Sequence, residues 1–87
     1  MATVKDLLKA GLVNNGTELF WTRKKFNENH TAIINEKGLI VTGDGKIHKT
    51  PSGAAKHLNG NKPIDGWNAW KVKASKESLS NLRNKLV

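Results

Sequence analysis

A chain of 87 residues with 37% hydrophobic content has material for one modest core burying roughly two-thirds of its unfolded surface, and no room for a separate catalytic domain. It contains no cysteine, which excludes disulfides, thiolate metal sites and a cysteine nucleophile and fits a reducing compartment. Fifteen Lys and Arg against seven Asp and Glu leave a net charge of +8 on a very small surface, so a polyanion is the leading partner and basicity for solubility alone the plain alternative.

Met1 to Asp6 lacks a basic segment followed by an apolar run, and no stretch approaches ~20 apolar residues, so neither a signal peptide nor a membrane span is expected and the expected location is the cytoplasm. Asn15-Gly16-Thr17 and Asn29-His30-Thr31 match the glycosylation pattern, which carries no meaning without secretion. Three tryptophans and two phenylalanines can supply much of that core, at roughly 150–250 Å² each.

Thr3 is a helix-capping residue and Asp6 can answer it, so a first helix begins at Val4. Val4, Leu7, Leu8 and Leu12 recur at near-helical spacing, and Gly11 is a natural terminator. Asn14-Asn15-Gly16 is turn chemistry, and Leu19 to Arg23 is rich in strand formers. A polar loop from Lys24 to Asn29 then leads to a second strand, His30 to Ile34; Glu36-Lys37-Gly38 turns into a third, Leu39 to Thr42. Gly43-Asp44-Gly45 reads as a hairpin turn into Lys46-Ile47-His48-Lys49, a half-buried fourth strand with Ile47 inward and Lys46 and His48 on the opposite face.

Thr50-Pro51-Ser52 is a strong helix start, a threonine cap followed by proline at the first helical position, and this second helix ends near Asn59-Gly60. Counting 100° per residue, Ala54, Ala55 and Leu58 form its buried face and Ser52, Gly53 and Lys56 its outer one. Asn61 to Gly66 is a loop, Trp67 to Lys73 an alternating strand, and Ser75 or Ser78 caps a last helix that buries Leu79, Leu82 and Leu86. No repeat, low-complexity tract or linker interrupts the chain, so residues 1–87 read as one domain.

Several segments together resemble one known family. Val4-Lys5-Asp6-Leu7-Leu8-Lys9-Ala10-Gly11-Leu12 is similar to the opening of RAMA domains (restriction enzyme and adenine methylase associated), and Leu19-Phe20-Trp21 to their first strand. Thr50-Pro51-Ser52-Gly53-Ala54-Ala55-Lys56, followed by Gly60 and Gly66-Trp67-Asn68-Ala69-Trp70, resembles their signature, and the likeness runs from about Thr3 to Lys85. Asp65 stands where asparagine commonly precedes Gly-Trp, and Gly53 where alanine is frequent. The resemblance implies a DNA-binding module in a restriction or methylation setting, at least some relatives being discussed as readers of methylated adenine.

Two basic clusters are candidate phosphate contacts: Arg23, Lys24 and Lys25 at the end of the first strand, and Lys46, His48, Lys49 and Lys56 on the fourth strand and second helix. A solvated charged face accounts for either alone; their joint presence around the family signature points to binding. Free N–H groups at the second helix start, with Ser52, Gly53 and Lys56, are expected to meet one phosphate. Trp67 and Trp70, beside Asp65 and Asn68, either pack in the core or stack on a base, and core packing is the better expectation.

His30, His48 and His57 are scattered, with no closely spaced carboxylate to complete a metal site. Asp65 lacks the following acidic-x-Lys segment of a nuclease, and Ser52 lacks a histidine and acid arrangement. The expectation is therefore an α+β domain in which a small, mainly antiparallel sheet is packed by an N-terminal helix, a short helix after strand four and a C-terminal helix. It is expected to be no enzyme, to need no cofactor or metal, and to bind double-stranded DNA, with a methyltransferase or restriction subunit as a further partner. The rivals are a protein-interaction or regulatory module docking an acidic partner and, more weakly, an RNA binder.

Overall fold

Thr3 is extended, its hydroxyl accepts the amide of Asp6, and the Asp6 carboxylate accepts the Thr3 amide at 2.7 Å. This reciprocal cap starts α1 (Val4–Lys9), and Gly11, at φ +75°, turns the chain away. The computed structural model describes residues 2–86. After α1 come β1 (Glu18–Arg23), a 3-10 turn (Lys24–Phe26), β2 (Glu28–Ile34), β3 (Ile40–Thr42), β4 (Ile47–His48), α2 (Pro51–Leu58), α3 (Gly66–Ala69), β5 (Lys71–Val72) and α4 (Leu79–Arg83). The class is α+β, as the residue patterns predict.

The strands form a five-stranded antiparallel sheet in the order β4-β3-β2-β1-β5. Strand alternation divides it into two unlike faces. Leu19, Trp21, Ala32, Ile34 and Ile40 are buried and cluster with Val4 and Leu7 of α1, Ala54 and Ala55 of α2, Trp70, and Leu79 and Leu82 of α4, and Thr42 is buried on the same face. The other face carries Phe20, Ile33, Val41 and Ile47, of which Ile33 and Ile47 are 46% and 62% exposed. All packing helices therefore lie on one side of the sheet.

Three sequence expectations are corrected by pairing. β2 begins at Glu28 rather than His30, because Glu28 pairs with Arg23 and Asn29 with Thr22, lengthening the first hairpin. Ile47 faces outward, not inward. In β4 it pairs with Val41, while His48 pairs with the fully buried Ile40 and so shares its helix-covered side. Two residues of alternation cannot choose a face; the register of β3 does.

The third correction concerns Trp67 to Lys73, of which only Lys71 and Val72 pair with β1. Gly66 to Ala69 forms a helical turn, since the Asp65 carboxylate caps the Trp67 amide at 3.0 Å and the Gly66 amide donates to Ser52 Oγ at 3.0 Å. Tryptophans three apart suit a helical turn as well as a strand, and the packing of Gly66 against α2 decides between them, with the Asp65 cap completing the turn. Ser78, not Ser75, caps α4 through the Asn81 amide.

Candidate nucleic-acid interface

Among the described residues, only Arg23, Lys73 and Lys85 of the fifteen Lys and Arg have a carboxylate within 4.0 Å. Lys24, Lys25, Lys46, Lys49 and Lys56 are exposed cations without such a partner among those residues. They fall into two patches. Three strand spacings of about 4.8 Å from β4 to β1, and four residues of about 3.3 Å along β2, place the patches about 20 Å apart.

The first patch is the tip of the β1–β2 hairpin. Arg23 and Glu28 pair across its neck, with Arg23 Nη1 3.7 Å from Glu28 Oε2, and His30 Nε2 meets the same carboxylate at 2.9 Å. The guanidinium lies over two rings, 5.0 Å from the Trp21 centroid and 4.4 Å from that of Phe26. Arg23 is thus a half-buried, oriented cation, whereas Lys24 and Lys25 project freely. Asn27, at φ 52°, turns the chain back into β2; asparagine is among the few non-glycine residues that accept this conformation readily.

The second patch gathers β4, the preceding turn and α2. Asp44 is its hub: it accepts from the His57 Nε2 at 2.6 Å, from the Thr42 hydroxyl and from the Lys46 amide at 3.2 Å. The His57 bond, then the Thr42 bond, holds its carboxyl below the usual carboxylate range. The His48 and His57 rings stack with centroids 4.9 Å apart, and His48 Nε2 lies 3.3 Å from the buried Thr42 hydroxyl. Burial, then the neighbouring His57 charge, pushes the His48 imidazole below its ordinary value, against the opposite pull of Asp44. Lys46 and Lys49 flank this cluster in sequence and remain exposed.

At the start of α2 the expected set of free donors is reduced. The Gly53 amide is taken by Thr50 Oγ1 at 2.9 Å, and Ser52 Oγ accepts from the Gly66 amide, so the half-buried Ser52 ties α2 to α3. Lys56 alone of the three is fully exposed.

Of the tryptophans, Trp70 is wholly buried, donates from Nε1 to the Pro51 carbonyl at 3.2 Å, and packs edge-on against Trp21 at 5.8 Å. It is core and has no surface to offer a base. Trp67 is half-buried, with the Arg83 guanidinium 4.2 Å from its ring centroid. Asp65 and Asn68 are exposed and hydrogen-bonded to each other. Phe26, expected to contribute to the core, is instead 55% exposed on the turn read only as a polar loop, and sequence reading missed the joining of Asp44 to His57, which lie thirteen residues apart. Among the described residues, no group of three or more His, Asp or Glu is placed to hold a metal ion, and no helix is long and apolar enough to cross a membrane.

Helices confined to one face of an antiparallel sheet, with unpaired cations at two of its edges, define a small cation-rich α+β module. The family model named Restriction Enzyme Adenine Methylase Associated, or RAMA, matches residues 1–87. The chain belongs to the RAMA family, which ties it to restriction and adenine-methylase systems. No curated protein matches it.

Proposed function

We propose that this RAMA domain is a non-enzymatic module that binds double-stranded DNA and senses its adenine methylation in a restriction or methylation system. One observation carries the reading: five of the exposed lysines without carboxylate partners among the described residues, Lys24, Lys25, Lys46, Lys49 and Lys56, form two patches, one at the β1–β2 tip and one at β4 and α2. A separation of about 20 Å exceeds the roughly 12 Å width of the major groove, so the patches suit two separate rows of phosphates. Arg23, Lys24 and Lys25 serve one row, and Lys46, His48, Lys49 and Lys56 the other, with Ser52 and Gly53 beside the second. Asp65, which caps α3, and Trp67 and Asn68 within it are the residues available for base contact.

The test is fluorescence anisotropy with a labelled duplex, with and without N6-methyladenine, and with single-stranded DNA and RNA as competitors. A dissociation constant on the order of 10⁻⁴–10⁻⁶ M is expected at moderate salt. With about four phosphates neutralised, log K against log salt falls with a slope near −3.6. A flat salt profile, or no binding at low salt, sinks the proposal. A second reading, docking onto a methyltransferase or restriction subunit, draws on the uncovered sheet face with its exposed Ile33 and Ile47.

A further inference from the structure

Phe26 is the most exposed aromatic side chain among the described residues, at 55%, and it sits in the most cationic turn, directly after Arg23, Lys24 and Lys25. Its exposure is built into the hairpin. Arg23 and Glu28 close the neck, residues 24–27 form the loop, and the left-handed Asn27 returns the chain, leaving Phe26 outside the paired region. One side of the ring is covered by the Arg23 guanidinium at 4.4 Å. That guanidinium rests on Trp21 at 5.0 Å, and Trp21 on the fully buried Trp70 at 5.8 Å. A continuous column of π surfaces and one cation thus runs from the core to the tip, with Glu28 holding the cation at 3.7 Å.

Such a column orders the outermost ring before any ligand arrives, so little side-chain entropy remains to be lost on binding. Phe26 retains an exposed surface beside two free lysines that can engage the flanking phosphates. An open ring between phosphate-binding cations matches a nucleotide whose base has left the helical stack, because base–aromatic stacking tolerates any base and needs only an unstacked face. In a fully paired duplex that face is covered by its neighbours.

We infer that Phe26, backed by Arg23, is a stacking platform for a single unpaired nucleobase in DNA, so that the domain prefers a duplex with a locally extruded base. This rests on the DNA-binding reading above and adds a site and a ligand state to it. The experiment compares a labelled, fully paired duplex with the same duplex carrying one unpaired adenine in a bulge, by anisotropy, for the wild-type protein, Phe26→Ala and Phe26→Leu. Wild type is expected to bind the bulged duplex about 5- to 150-fold more tightly, the range that stacking of one base on an aromatic ring confers. Both variants are expected to lose that difference while keeping wild-type affinity for the paired duplex and a wild-type melting temperature.

Wild-type protein that binds both duplexes equally, or a Phe26→Ala protein that keeps the preference, overturns the platform and leaves the DNA-binding proposal standing. Absence of binding to either duplex at low salt overturns both. If Phe26→Ala melts early, Phe26→Leu decides, because it retains an apolar cover over Arg23 and Trp21 without an aromatic face; a folded Leu variant with undiminished preference overturns the inference. Equal or tighter binding of a bulged RNA duplex overturns it in favour of an RNA platform.

Discussion

Gly66 lies against Pro51 so closely that a Cβ on Gly66 would stand 2.0 Å from the Pro51 carbonyl oxygen. The obstructing atoms are backbone, with the Pro51 carbonyl carbon and the Ser52 amide nitrogen next at 2.2 and 2.5 Å, so no rotamer change can relieve the clash. The glycine at position 66 thus has a steric basis: α2 and α3 meet through main chain, and the Gly66 amide donates to Ser52 across the contact. Gly66→Ala should cost at least about 3 kcal/mol, the upper range of overpacking. Chemical denaturation checks it, and a loss below about 1 kcal/mol would show that the two helices can part cheaply.

The tryptophans of the same motif should separate clearly. Trp70→Ala is expected to lose roughly 3–5 kcal/mol, a large share of a small domain's stability. Trp67→Ala should lose less than half of that, including about 0.5–1 kcal/mol for its contact with Arg83. Thermal melts of the two variants settle the ordering, and equal losses would contradict the half-buried placement of Trp67.

Gly53 is coupled to the cap of its own helix. A Cβ there would lie 3.1 Å from Thr50 Oγ1, the atom that accepts the Gly53 amide. The usual gain of roughly 0.5–1 kcal/mol from replacing a helical glycine by alanine is therefore offset by disturbance of the cap. Gly53→Ala should leave the melting temperature unchanged or slightly lower. In a Thr50→Ala background the obstruction is gone, and the same substitution should raise it. A double-mutant cycle measures the difference; additivity would show that Thr50 yields without loss.

Lys24→Glu with Lys25→Glu should weaken duplex binding uniformly across sequences and flatten the salt slope by roughly 0.9 per lost phosphate contact. Both side chains are exposed and have no carboxylate partner among the described residues, so folding should be unaffected. A folded double variant with unchanged affinity would make this turn a solvated edge.

Acid should destabilise the domain in two stages. The folded-state value of His48 is depressed, so as pH falls through the ordinary imidazole range the unfolded chain takes up a proton that the folded one resists, and stability declines until His48 also protonates. Asp44 is depressed too, so acid also weakens the fold through it, but in the carboxylate range. Its contribution is complete above the usual carboxylate range and disappears only as pH falls through its lowered folded value. Urea melts from pH 8 downward should therefore show a first decline through the ordinary imidazole range, smaller in His48→Gln, and a second in stronger acid, smaller in Asp44→Asn, with the capping Asp6, also lowered, supplying part of the remainder.

The sequence by itself determined the features that depend on neighbours a few residues away. Thr3 with Asp6, Thr50 with Pro51, and the Gly11 terminator act within one helical turn, and they start or end helices where their chemistry says they must. The apolar spacing of the N-terminal helix and the first strands likewise marked much of the core, and the net charge needed no structure. Only the tertiary structure decided which way β4 faces, because Ile47 and His48 take their sides from the register with Val41 and Ile40. It alone turned Trp67 to Ala69 into a helix against Pro51, closed Asp44 onto His57, and left Phe26 outside the first hairpin with Arg23 behind it. These outcomes rest on contacts between segments distant in sequence or on the path of a turn, and two or three residues of local pattern fit either alternative equally well until the sheet sets the register.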